Sequence, residues 1–146
     1  MEDLLSDVYA EPKLATLGSR VGAAIIDLIV FFIIFTVFAM LWGDNYTIGT
    51  TVKFRLTGLP AFVFFLVTFA VMVIPEGTTG KTLGQRLLRI KVVARDQSGP
   101  SLGKSIVRHL FDFLEFIFLV GIIVAATNPQ RQRIGDLVAG TIVVEG

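Results

Sequence analysis

Apolar stretches longer than a soluble fold needs alternate along this chain with short polar connections. Val21 to Trp42 is broken only by Asp27 and Thr36 among polar positions. Its 22 residues exceed the ~20 that carry an α-helix across the hydrocarbon core of a bilayer. Leu56 to Ile74 is nearly as long, with Pro60 near its first turn, where a missing N–H costs least, and Pro75 at its close. Two full transmembrane helices are predicted. Trp42 fits an aromatic anchor at the membrane interface.

A third segment, Ser105 to Ala126, has a different pattern. Lys104, Ser105, Arg108, His109, Asp112 and Glu115 recur at three- and four-residue steps and form one polar stripe on an otherwise apolar helix. Beyond Glu115 the run is wholly apolar. Such a segment is membrane-embedded, either re-entrant or spanning. Arg89 to Ala94 and Thr141 to Glu145 are β-branched and strand-like, and Asp96 to Pro100 is turn chemistry. Two runs this alike pair if they share a compartment, which favours the re-entrant form. The predicted fold is an all-α membrane protein with two full spans, a third embedded helical segment and a small two-stranded cytoplasmic β element. One domain, 16–146, follows an acidic tail, 1–15, whose lack of a basic start argues against a secretory signal.

Composition sharpens this picture. Of 146 residues 53% are hydrophobic and only 17% charged, against roughly 25% in soluble domains, so the bilayer is the solvent. The absence of cysteine excludes a disulfide scaffold, a zinc–thiolate site and a thiol nucleophile. Net charge is +1, and its distribution matters more than its size. Lys81, Arg86, Arg89, Lys91, Arg95, Lys104 and Arg108 lie between the second and third segments, whereas the Gly43 to Arg55 connection holds only Lys53 and Arg55. The basic loop and the N-terminus are therefore expected in the cytoplasm. If Arg131 and Arg133 join them, the count is eleven against two.

Asp27 carries the sharpest chemical signal. A mid-helix aspartate costs ~2.5–3.5 kcal/mol on insertion scales and needs a partner. Arg20, seven residues earlier, tends to snorkel outward, so Arg108 or Arg86 is the expected partner. Arg108, Asp112 and Glu115 share one helix face. Beside Asp27 they would gather three carboxylates and an arginine, enough to bind a small cation or exchange protons. The bland reading is a solvated stripe on an interfacial helix, with His109 at headgroup level. Lys81, Arg86, Arg89 and Lys91 read as anionic-lipid contacts, each worth ~1 kcal/mol near the surface, and not as a nucleic-acid patch.

Other motifs fail on inspection. Gly80-Lys81-Thr82 lacks the glycine a phosphate-binding loop needs five residues earlier, where Pro75 stands. With one histidine and no cysteine there is no metal-ligand spacing, and no Ser/His/Asp arrangement supports an enzyme or a cofactor. Thr16-Leu17-Gly18-Ser19-Arg20 is echoed by Thr82-Leu83-Gly84-Gln85-Arg86, and each threonine is placed to cap a helix.

Arg20 and Asp27 in the first span, Gly80 to Val93 (GKTLGQRLLRIKVV), Ser105 to Leu110 (SIVRHL) and Arg131 to Val144 (RQRIGDLVAGTIVV) together resemble the RDD family of small bacterial membrane proteins. The resemblance runs from about Leu14 to Val144. It implies that Arg20 is the family arginine, Asp27 its first aspartate, and Asp136 its second, with Asp112 the runner-up. Family members often have His before that last aspartate, where this chain has Gly135. The resemblance implies a multi-pass protein of the bacterial inner membrane, with transport of a small cation or proton exchange among its suggested roles. Two or three helices cannot enclose a path alone, so such transport requires a homo-oligomer or a partner. The alternative is an accessory or scaffold subunit of a larger membrane complex.

Overall fold

The computed structural model describes residues 12–96, 98–118 and 120–146, with side chains described at all of these except 113, 114 and 116–118. Most of the acidic tail therefore lies outside the described residues.

The first span is helix α1, Leu17–Trp42, about 39 Å long at 1.5 Å per residue. Thr16 caps it by accepting a hydrogen bond from the Ser19 amide at 3.1 Å. The second is α2, Gly58–Thr79. It does not stop at Pro75, as expected, but continues for another turn, and this carries Glu76 into the packed interior at 2% exposure. Both helices are long and apolar enough to cross a membrane, and most of their surface is exposed in the isolated chain. They pack through a seam of rings in which Phe64 of α2 meets Phe31, Phe35 and Phe38 of α1 at 5.3–5.8 Å between centroids, all in edge-to-face geometry.

The Gly43 to Arg55 connection is more than a loop. It contains two short antiparallel strands, β1 Tyr46–Ile48 and β2 Thr51–Lys53, with Tyr46 opposite Lys53. This hairpin caps one end of the two spans.

At the other end the chain builds a small, dense unit. Helix α3, Leu83–Leu87, is started by a reciprocal capping box between Thr82 and Gln85. Strand β3, Ile90–Ala94, pairs antiparallel with β4, Thr141–Glu145, in a five-residue register running from Ile90 opposite Glu145 to Ala94 opposite Thr141. The predicted strand pair thus forms. Lys13 to Ala15 lines the free side of β4, where Ala15 donates its amide to the Val143 carbonyl. Ala15, Ala23, Ile90, Val92 and Val143 form the buried apolar core beneath.

The third segment resolves into α4, Leu102–Phe118, and α5, Val120–Thr127, followed by α6, Ile134–Ala139. Because β3 precedes α4 and β4 follows α6, the pairing of these strands returns α4 to α6 to the end of the spans from which they left.

Candidate functional site

The dense end is held by charged and polar groups from six elements, the charges coming from four of them. Arg108, on α4, is 1% exposed and forks onto Glu76: Nε donates to Oε1 at 2.9 Å and Nη2 lies 3.4 Å from Oε2. Its Nη1 pairs with the carboxylate of Asp136 on α6 and donates to the Thr141 hydroxyl of β4 at 3.1 Å. Asp136, wholly buried, also takes the Arg20 guanidinium of α1 and, at 3.0 Å, the Arg133 amide at the start of its own helix. Arg20 in turn donates to the Arg131 carbonyl. Two arginines and two carboxylates thus neutralise one another away from water. This is the arrangement under which buried ions persist.

Asp27 joins the network by a different route. One carboxylate oxygen accepts the Thr82 hydroxyl at 2.6 Å and the other accepts the Gly84 amide at 2.8 Å. Its expected partners, Arg108 and Arg86, are both engaged elsewhere: Arg108 holds Glu76 and Asp136, and Arg86 stands exposed with Nη2 on the Thr79 hydroxyl at 3.0 Å. The correction has a geometric cause. Gly84 lies so close to α1 that a Cβ there would sit 2.1 Å from the Ala23 carbonyl, which seats the start of α3 against the aspartate. The connection then runs onward without a gap, since Thr82 and Gln85 cap each other and Gln85 donates to Glu76 at 3.2 Å. Asp27, Thr82, Gln85, Glu76, Arg108, Asp136 and Arg20 form one chain of polar contacts that begins and ends on α1.

The predicted grouping of Asp112 and Glu115 with Asp27 does not form. Both instead face α6 and its N-terminal flank. Asp112 accepts His109 Nδ1 at 2.8 Å and pairs with Arg133 at 2.9 Å, while Glu115 accepts the Gly135 amide at 2.6 Å. His109 is packed inside the protein. Its ring is 11% exposed and its Nε2 lies 3.5 Å from Glu76. Burial alone lowers its pKa, but the hydrogen bonds and charges of Asp112 and Glu76 outweigh that and raise it to about 9. For Asp112, burial raises the pKa, and Arg133 with His109 overcomes this and brings it down to about 2. Gly135 is buried at the α4–α6 contact. A Cβ there would be 3.0 Å from the Arg108 carbonyl, so α6 packs tightly on α4 and leaves little room for a larger side chain.

Of the predicted charge-site residues, Arg20, Arg108 and Asp136 meet directly, Asp27 joins through Thr82 and Gln85, and Asp112 and Glu115 occupy the adjoining α4–α6 contact. Glu76 is the residue that sequence reasoning missed. Among the basic-loop residues, Arg86 and Arg89 are exposed, and Lys81 reaches the Gly146 carbonyl at 2.9 Å. Beside Glu76 and Arg108 lies a cavity of about 10 Å³, lined also by Lys104 and Thr141, with room for about one water.

Known proteins bear on this arrangement. The chain is 32% identical over 71 residues to a proline-rich antigen homolog of Mycobacterium tuberculosis, found in strains CDC 1551 and H37Rv, covering 47% of this chain and 30% of that protein. It is 36% identical over 73 residues to an uncharacterized protein of Haemophilus influenzae, covering 47% of each. These matches span less than half of each relative's length. No solved structure matches. A family model described as the RDD family matches residues 14–140, a range that includes Arg20, Asp27, Glu76, Arg108 and Asp136. With most of its length matched, the chain belongs to the RDD family of membrane proteins.

Proposed function

We propose that the chain is a non-catalytic accessory or scaffold subunit of a larger membrane complex in the bacterial inner membrane, its charges serving to hold a fixed membrane-embedded shape. The observation that carries this reading is the pairing of Glu76, Arg108, Asp136 and Arg20, all contributed by one chain. A cation site needs carboxylates left free to coordinate, and here Glu76 and Asp136 are taken by arginines and Asp27 by a hydroxyl and a backbone amide. The membrane setting is supported by α4, which is built inside out. Ser105, Arg108 and Glu115 are buried, whereas Leu102, Ile106 and Leu110, one turn apart, are 40–54% exposed. A helix that hides its charges and presents leucines outward is suited to lipid. The pairing of β3 with β4 at one end of the spans supports a re-entrant α4–α5; the count is then eleven basic residues against two, and in this reading that end, with the N-terminus, is the cytoplasmic one. There Arg86 and Arg89 can meet anionic headgroups, while Leu83 and Leu87 of α3, both more than half exposed, dip below them.

Affinity purification from native membranes after crosslinking tests the proposal. A defined larger assembly containing this chain is expected; recovery as a free-standing homo-oligomer counts against it.

A second reading, small-cation or proton exchange within a homo-oligomer, is favoured by one specific feature. Glu115 is 6% exposed, and its Oε2 has no hydrogen-bond donor within reach among the described residues. Purified protein in vesicles bearing a Na⁺ or K⁺ gradient and an internal pH dye would then move protons, and Glu115→Gln or Asp27→Asn would stop it. No pH change in the wild type eliminates this reading.

A further inference from the structure

The hairpin at the opposite end from the charge network has no interior. Every residue of β1 and β2 is exposed, including Tyr46 at 44%, Ile48 at 57% and Val52 at 54%, and Phe54 just beyond is 45% exposed. Two strands without a covered face are marginal in water. Yet this pair is fixed in place: the Asn45 side chain donates to the Ala39 carbonyl at the end of α1, and the Asp44 amide donates to the Arg55 carbonyl across the base. Something outside the chain covers its apolar side chains.

Register identifies the cover. Tyr46 and Ile48 lie on one face of the pair, with Lys53 and Thr51 opposite them, while Val52 is on the other face and Phe54 follows it by two. Both faces thus carry exposed apolar side chains, interleaved with Thr47, Thr51 and Lys53. A flat protein partner covers one face, whereas lipid surrounds both. Tethers set the depth, because β1 starts four residues after α1 ends at Trp42, and β2 ends five residues before α2 begins at Gly58. The apolar surface of the hairpin therefore continues that of the two spans. The unpaired outer strand edges need water or headgroups, so the site is the interfacial zone and not the hydrocarbon core. Lys53 and Arg55, both exposed, are placed to meet phosphates.

We infer that the β1–β2 hairpin is an interfacial anchor, immersed in the headgroup region of the leaflet opposite the charge network, with phospholipid as its partner on both faces. Because the chain has no cysteine, single-cysteine spin labels at Ile48→Cys and Val52→Cys, one per face, test it cleanly in phosphatidylcholine vesicles. Both positions are exposed, so the fold is not at stake. The expected result is a ratio of oxygen to nickel-chelate collisions that, at both labels, lies above that of the free label in water and below that of a label midway along a span, at the exposed Leu66→Cys. If the ratio at either position equals the value in water, the hairpin face stands in water and the inference fails; a ratio equal to the mid-span value puts that face in the hydrocarbon core, and the inference fails as well. Exclusion of both reagents at either position means that protein, a second copy included, covers that face, and the inference fails equally.

Discussion

Helices α1 and α2 are joined twice, by opposite means. Midway along the spans the joint is a set of rings, Phe64 against Phe31, Phe35 and Phe38; at the α3–α6 end it is a set of charges and hydrogen bonds. Rings in lipid lose little when they separate, because acyl chains are as apolar as the partner ring and packing alone distinguishes the two. Charges away from water have no such substitute. The seam can tolerate exchange of its members, whereas the network demands every one.

That contrast can be broken from either side, and the largest effect is expected at Arg108. Arg108→Met leaves Glu76 and Asp136 buried without their shared counter-charge and should cost about 3–5 kcal/mol. In detergent the variant should unfold well below the wild type, and adding Glu76→Gln should restore part of the loss, because Asp136 keeps Arg20 as its counter-charge while Glu76 has no other arginine; thermal denaturation followed by circular dichroism checks both.

The next effect is one of pH. A His109 pKa raised from 6.5 to about 9 contributes stability that is fully present below about 6.5 and lost as pH rises through about 9. Asp112, lowered to about 2, acts in the opposite sense: its contribution is present above about 4 and lost as pH falls towards 2. Stability should therefore decline between pH 7 and 10, and His109→Gln should flatten that decline. An equally steep decline in the variant would show that the α4–α6 contact does not depend on the imidazolium.

Asp27→Asn keeps the shape but removes the charge that Thr82 and Gly84 address. It should cost about 1–2 kcal/mol, less than Arg108→Met, because hydrogen bonds and not an ion pair are lost. A cost as large as that of Arg108→Met would mean that Asp27 carries the whole network. Phe64→Leu should be mildest, at about 1 kcal/mol, as one apolar group replaces another. If it proved as damaging as the charge variants, the distinction between seam and network would collapse.

The same division explains what could be read from the residues. Spans depend on length and hydropathy, both local properties, so Val21 to Trp42 and Leu56 to Ile74 announced themselves. The β3–β4 pair was visible because two β-branched runs matched, and Thr16 and Thr82 were visible as caps. Partners in the charge network are set by packing, and they lie 32 residues apart for Glu76 and Arg108 and 116 for Arg20 and Asp136. Asp27 was recognised as needing a partner, but nothing in its neighbourhood indicated that a threonine hydroxyl and a glycine amide would meet the need. Glu76 escaped because the preceding proline reads as a helix terminator, whereas α2 tolerates losing that one N–H and stays helical for another turn. The hairpin escaped because its strands are only three residues each and both faces mix apolar and polar side chains, so no alternation shows.

The long separation between Arg20 and Asp136 has a consequence for biosynthesis. Arg20 and Glu76 are made well before Asp136, and the strand that supplies Thr141 follows later still, so during insertion the early charges wait without their final partners. Closing a loop of that size is slow relative to helix formation. At roughly 5–20 residues per second of synthesis, roughly 6–23 s separate Arg20 from Asp136, so the network can close only after α6 has emerged.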